Sequence, residues 1–90
     1  MLVTLADTMH GVAKLRLFAQ AREAAGTNAA EFAGATVSEV LANATQQFGQ
    51  GFADVVLTSK VWVNGEEVPM SHPVGDNDEV AVLPPVSGGM

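Results

Sequence analysis

An α+β fold, a mixed β-sheet packed on one main helix, is predicted by three features of this sequence. A capping box, Thr36-Val37-Ser38-Glu39, opens a segment with apolar residues at Val37, Val40, Leu41, Ala44 and Phe48, one stripe of a helix. Strand-like segments flank it, around Leu15 and Leu17 on one side and Val61 and Val63 on the other. A last apolar run, Glu79-Val80-Ala81-Val82-Leu83, reads as a strand lying close to the C-terminus. Ninety residues allow one domain with one modest core.

Composition narrows the function classes. The formal net charge is −6 with only four basic residues, a surface that repels nucleic acid and anionic lipid. No cysteine is present, so there is no disulfide, thiolate nucleophile or iron–sulfur ligation, and no structural zinc site of the usual kind. The apolar stretches are far shorter than a membrane span, and the first residues lack a basic n-region and carry Asp7 early. The expectation is a cytoplasmic protein with no nucleic-acid or membrane partner.

Taken in order, residues 1–11 show no sustained period and end in Gly11, and are read as an N-terminal extension; Val3 and Leu5 could add a short strand. Val12 to Ala19 alternates as a strand, with Leu15, Leu17 and Ala19 on one side and Lys14, Arg16 and Phe18 on the other. Leu15 and Leu17 are the core candidates. Phe18 shares its side with two cations, and periodicity leaves open whether a loop or helix covers it or whether it belongs to a docking surface. Gln20 to Ala25 is a short Ala-rich helical turn closed by Gly26 at C′. Asn28 to Ala33 is a weak strand around Phe32, joined to the first strand by a long connection. The main helix starts from Thr36 as N-cap, with Glu39 reaching back to the Thr36 N–H, and ends at Gly49.

Gln50 to Ser59, with Phe52, Val55, Val56 and Leu57, fits a short helix or a strand. Val61-Trp62-Val63, Asn64-Gly65 and Glu66-Glu67-Val68 read as strand, type I′ turn, strand. Trp62 points away from Val61 and Val63, and a lone tryptophan is more often core than contact surface. Pro69 and Ser71-His72-Pro73 break the pattern, and Gly75-Asp76-Asn77-Asp78 is a tight loop in which Asn77 tolerates a left-handed conformation. Strands wrapping one main helix in this order make the β-grasp, or ubiquitin-like, arrangement.

Catalytic signals inside the chain are weak. His10 and His72 have no second histidine or carboxylate at ligand spacing, so no metal site is expected. Asp76, Asp78 and Glu79 lack the other positions of a calcium loop and read as a solvated turn. There is no nucleophile elbow, phosphate loop or dinucleotide fingerprint. The distinctive stretch is the end. Pro84 and Pro85 have no N–H to extend a ladder, and Gly88-Gly89 lacks any Cβ and fits a narrow channel. From Pro84 through Val86 and Ser87 to Gly89 an extended chain reaches about 20 Å, at about 3.3 Å per residue. Frayed termini are common, but a strand, a Pro-Pro stop and a Gly-Gly tail together point to a carboxyl group delivered into another protein.

The segments Leu17-Phe18-Ala19-Gln20-Ala21-Arg22-Glu23, Val63-Asn64-Gly65 and Asp76 to Gly89 resemble the small subunits of molybdopterin synthase, the MoaD/ThiS group of ubiquitin-like sulfur carriers. The likeness runs from about Val12 to Gly89. It implies a β-grasp domain over 12–83 and a flexible tail over 84–90 whose terminal Gly89 carboxylate is the working group. It further implies that an ATP-dependent activating enzyme (MoeB-like) adenylates Gly89, that a sulfur donor makes the thiocarboxylate, and that the tail enters the large synthase subunit (MoaE-like) to sulfurate a pterin precursor. ATP is then consumed by the activating enzyme, and no cofactor is bound by the carrier. By matched position Phe18 and Leu83 belong to the apolar docking surface for both partners; the role of Arg22 stays open.

Two departures stand out. Asn77 replaces a frequent glycine, and Met90 follows Gly-Gly although activation needs glycine last. Met90 is removed by a peptidase, or is an artificial addition, or marks a copy that is not a sulfur carrier. Delivery to thiazole synthesis, cysteine synthesis or protein conjugation is the neighbouring alternative, and a non-catalytic β-grasp binding module with an inert tail is the one from another class.

Overall fold

The computed structural model describes residues 11–85. Eight elements follow in chain order: β1 (Val12–Leu17), α1 (Ala19–Ala25), β2 (Ala29–Ala33), α2 (Val37–Phe48), α3 (Gln50–Leu57), β3 (Lys60–Val63), β4 (Glu66–Glu67) and β5 (Glu79–Leu83). The strands form one mixed sheet in the order β2-β1-β5-β3-β4. β1 and β5 are parallel at its centre, with Leu15 opposite Val80 and Leu17 opposite Val82; the other pairings are antiparallel. This is the β-grasp, ubiquitin-like arrangement, and the expected long connection between β1 and β2 is the α1 helix.

Alternation along the strands sets which face is the core. Ala13, Leu15 and Leu17 of β1, Val80 and Val82 of β5, and Val61 and Val63 of β3 are all buried. Val37, Val40, Leu41 and Ala44 of α2 and Phe52 and Val56 of α3 complete the same apolar cluster. Edge-on aromatic contacts link Phe32 to Phe48 and Phe48 to Phe52, with ring centroids 5.6 and 5.2 Å apart. The helices cover one face of the sheet, so Lys14, Arg16, Trp62, Ala81 and Leu83 lie on the other.

Helix α2 begins as expected at Thr36, whose Oγ1 accepts from the Glu39 N–H at 3.2 Å. The Glu39 carboxylate reaches one residue further than the capping box implies, accepting from the Ala35 N–H at 2.8 Å. The loop before β5 supplies the remaining partners: the Val37 N–H donates to the His72 carbonyl and the Ser38 N–H to the Met70 carbonyl. Asn64 and Gly65 have φ of 51° and 90°, as a type I′ turn requires, and Asn77 is left-handed at φ 71°.

Several expectations need correction. Ala19 does not continue β1; pairing stops at Leu17, Phe18 is an extended N-cap, and Ala19 opens α1 with φ 51°. The choice left open between helix and strand for residues 50–59 falls to the helix, Gln50 to Leu57, because Gly49 at φ 99° turns the chain and Phe52, Val55 and Val56 at i, i+3 and i+4 then face the core. Trp62 is on the uncovered face and only half-buried, so it is not a core residue. Gly11, assigned from sequence to the extension, packs on the fold: at φ 70°, a Cβ there would lie 2.9 Å from the Asp76 nitrogen. The possible strand at Val3 and Leu5 lies outside the described residues.

Candidate functional site

The topology makes the site. Because β1 and β5 run parallel side by side, they end at the same edge of the sheet, and the C-terminal tail leaves beside Phe18. Reading across the strands on the uncovered face gives three rows. Lys60 pairs with Leu83, next to Phe18 just past the Leu17–Val82 pair. Behind them Ala29, Arg16, Ala81, Trp62 and Glu67 stand in register. A third row holds Glu31, Lys14 and Glu79.

Phe18 and Leu83 are 41% and 37% exposed, high for large apolar side chains and next to the root of the tail. The two sequence-predicted contact residues are thus brought together on one surface. Trp62, read from the sequence as core, joins them there. Its signal was present in the alternation of β3, where Val61 and Val63 claim the inner face and leave Trp62 the outer one. Between these side chains is a cleft of about 300 Å³ lined by Arg16, Phe18, Trp62, Gly65, Glu79, Ala81 and Leu83. One ion pair crosses its border, Arg16 Nη1 to Glu79 Oε2 at 2.9 Å, with both side chains about half exposed. At that exposure the pair contributes little to stability.

Pro84 and Pro85 follow Leu83 without joining the sheet, and border a shallow notch with Gln20, Asp54, Val55 and Thr58 between α1 and α3. The tail root is therefore flanked by the outer sheet face on one side and by helix ends on the other. Val86, Ser87, Gly88, Gly89 and Met90 lie outside the described residues. Arg22 sits exposed in α1, its carbonyl accepting from the Gly26 N–H. Among the described residues no group of three His, Cys, Asp or Glu side chains is placed to hold a metal ion, and no helix is long and apolar enough to cross a membrane.

At the opposite end of the sheet the polar turn is built as a brace. The Asn64 side-chain amide donates to Asp78 Oδ1 at 3.1 Å, and its oxygen accepts the Glu79 N–H at 3.0 Å. Asp78 Oδ2 accepts from the Gly75 N–H at 2.8 Å. The Gly75 hydrogen bond first, then that from Asn64, holds the Asp78 carboxyl below the ordinary aspartate range, with the charge of His72 adding a smaller push. Asp76, Asp78 and Glu79 thus serve the backbone and a surface ion pair, as a solvated turn would.

A mixed five-stranded sheet whose helices, among the described residues, all lie on one face, with Pro84 and Pro85 leaving at its edge, defines a protein of the ubiquitin-like, β-grasp class. Comparison with known proteins places the chain within that class. Residues 15–89 match the ThiS family, and the chain belongs to it. It is 36% identical over 81 residues to the molybdopterin synthase sulfur carrier subunit of Escherichia coli (strain K12), covering 84% of this chain and 98% of that protein. Among solved structures, SAMP1 from Haloferax volcanii superposes with a TM-score of 0.80 at 28% identity, covering 88% of this chain and all of the other. A chain of the BexX/CysO complex from Amycolatopsis orientalis superposes with a TM-score of 0.75 at 26% identity, covering 86% and 99%.

Proposed function

We propose that this protein is a sulfur carrier of the MoaD/ThiS type that supplies sulfur for molybdopterin, the molybdenum-cofactor precursor, through the carboxyl group of Gly89. The observation that carries the reading is the family match continuing through residue 89, so that it includes the tail as well as the sheet. The 36% identity to a molybdopterin synthase sulfur carrier subunit favours the pterin destination.

The chemistry suits a chain without cysteine. Once the peptide bond after Gly89 is cut, the free carboxylate attacks the α-phosphorus of ATP on a MoeB-like activating enzyme and pyrophosphate leaves. Sulfide-level sulfur from a donor, as hydrosulfide, then attacks the acyl carbon and displaces AMP, leaving a thiocarboxylate whose sulfur is a softer nucleophile than the oxygen it replaced. Gly88 and Gly89 let a narrow channel close around the chain. The docking face with Phe18 and Leu83 holds the domain while Pro84, Pro85, Val86 and Ser87 span the distance, a positioning task that supplies much of the rate in such reactions. The loaded tail then enters a MoaE-like large subunit. In this scheme the chain is the sulfur-donating small subunit, works in the cytoplasm, binds no cofactor and catalyses nothing alone.

Delivery to another acceptor is the second reading. The superposition on SAMP1, a small archaeal modifier protein, favours conjugation to protein. One experiment tests the shared step. The chain ending at Gly89 is incubated with a MoeB-like enzyme and ATP, pyrophosphate exchange is followed, and intact mass is measured after addition of a sulfur donor. Exchange and replacement of one oxygen by sulfur are expected. A folded chain that binds the enzyme and supports no exchange overturns the carrier reading; a thiocarboxylate that sulfurates no pterin precursor with the large subunit overturns the destination.

A further inference from the structure

We infer that the notch on the helix side of the tail root takes one arginine side chain of the large synthase subunit, with Asp54 accepting its charge. The inference rests on the carrier reading for the identity of the partner. It goes beyond that reading in naming a contact off the sheet face and the residues that select its occupant.

Helix geometry builds one wall. Phe52 and Val56 turn inward, which leaves Asp54 and Thr58, one turn apart, on the exposed ridge of α3 with half-buried Val55 beside them. Gln20, exposed in the first turn of α1, joins them, and Pro84 and Pro85 complete the lining of a space of about 210 Å³. Both prolines have a fixed φ and no N–H, so a body packed against their rings sets the direction in which the tail leaves.

The polar groups of the notch favour a cation. Asp54 Oδ1 accepts from Gln50 Nε2 at 2.9 Å, and Oδ2 has no hydrogen-bond or ion-pair partner among the described residues. Thr58 Oγ1 gives its proton to the Val55 carbonyl at 3.3 Å and keeps only lone pairs for a neighbour. Of the four cationic side chains, Lys14, Arg16 and Lys60 alternate with buried residues toward the outer sheet face, and Arg22 lies in α1; none lines the notch. Val55 and the two proline rings offer hydrocarbon to the stem of an arginine. Its planar fork of donors can reach the carboxylate and a second acceptor together, which the point charge of a lysine does less well.

Position selects the partner. A protein that docks on Phe18 and Leu83 and draws the tail in as far as Gly89 passes over Pro84 and Pro85, and the notch borders those rings on the side away from the sheet face. A grip from both sides of the tail root suits a lasting subunit contact more than the brief visit of one adenylation, which assigns the arginine to the large subunit.

The chain ending at Gly89 is titrated calorimetrically with a MoaE-like large subunit at low and at high salt, and ATP–pyrophosphate exchange with a MoeB-like enzyme is followed in parallel. Asp54→Asn keeps an acceptor for Gln50 and removes the charge. It should raise Kd for the large subunit by about tenfold at low salt, and the gap should shrink at high salt. Thr58→Arg sets this chain's own cation one helical turn after Asp54 and fills the notch from within, so it should weaken binding as much. Glu23→Gln makes the same charge change in α1 outside the notch and should stay within about twofold of the parent. None of the three should raise KM in exchange by more than about twofold. Far-UV circular dichroism and melting check that each variant is folded. Parent-like Kd for folded Asp54→Asn and Thr58→Arg overturns the notch while leaving the carrier reading intact. Equal weakening by Glu23→Gln overturns it as well, by tracing the effect to net charge. A raised KM in exchange with Kd for the large subunit unchanged overturns the assignment of the occupant. An Asp54-dependent complex with no exchange by the parent supports the notch and overturns the carrier reading. A parent that neither binds nor reacts overturns both.

Discussion

Asn64 and Asp78 join the β3–β4 hairpin to the start of β5: the Asn64 amide donates to Asp78 Oδ1 at 3.1 Å. The same aspartate accepts from the Gly75 N–H through its other oxygen. These bonds favour the charged carboxylate, so the folded-state pKa of Asp78 is lowered. Its contribution to stability is therefore present above the unfolded value of about 3.9 and is lost as pH falls through the lower folded value. Asp78→Ala should lower Tm by several degrees at neutral pH, and the gap between parent and variant should narrow on acidification below about pH 4. A gap that stays constant down to about pH 2 would mean that the carboxylate charge is not the source of the effect.

Phe52 and Leu57 lie in the same short helix and face opposite ways. Phe52 is fully buried, edge-on to Phe48 of the main helix, while Leu57 is 81% exposed. Phe52→Ala should cost about 3–5 kcal/mol of unfolding free energy, a large share of what a domain of this size has. Leu57→Ala should change it by less than about 0.5 kcal/mol. Urea unfolding of the two variants decides the matter; equal effects would mean that α3 is packed with a different face inward.

The contrast between these residues marks where the sequence was readable. The main helix, the β3–β4 turn and the terminal strand carry their signals locally, in a cap, an Asn-Gly pair and alternation, and the structure follows them. Residues 50–57 hold four large apolar side chains in eight positions, and such a run looks the same for a buried strand and a short helix. What decides it is tertiary: Phe48 and Phe52 stack edge-on only if the chain reverses at Gly49. Trp62 differs from its sequence expectation for the converse reason. Its alternation was clear, but the frequency with which tryptophan is buried outweighed the simpler fact that all the helices lie on the side of Val61 and Val63. Phe18 and Leu83 came from family resemblance, and their proximity depends on β1 and β5 being parallel neighbours, which no local pattern encodes.

Phe18 should matter for binding more than for folding. It follows β1 on the outer face at 41% exposure and makes no part of the buried cluster. Phe18→Ala should leave Tm within a few degrees of the parent and weaken the complex with a MoaE-like large subunit by about 2 kcal/mol or more. A folding cost of about 3–5 kcal/mol, as for a buried phenylalanine, would withdraw it from the docking face.

The reach of the tail should be set to the residue. Leu83 is the last strand residue, and from Pro84 to Gly89 the chain spans about 20 Å when extended. A partner that docks on the sheet face and acts on the carboxylate thus meets it at a fixed distance. With Met90 in place the carboxylate lies one residue, about 3.5 Å, further on, and a bulky side chain occupies the glycine channel. A displacement of about 1 Å can already cost on the order of 100-fold in rate. The chain ending at Met90 should therefore support no ATP–pyrophosphate exchange, the chain ending at Gly89 should support it, and the chain ending at Gly88 should lose it again. All three keep the docking face, so Trp62 emission should report binding of the Gly88-ended chain to the activating enzyme as readily as that of the Gly89-ended one. Equal exchange by the chains ending at Gly88 and Gly89 would show that the tail is not gauged by length, and the carboxylate would then have to be positioned by contacts along Val86 and Ser87 instead.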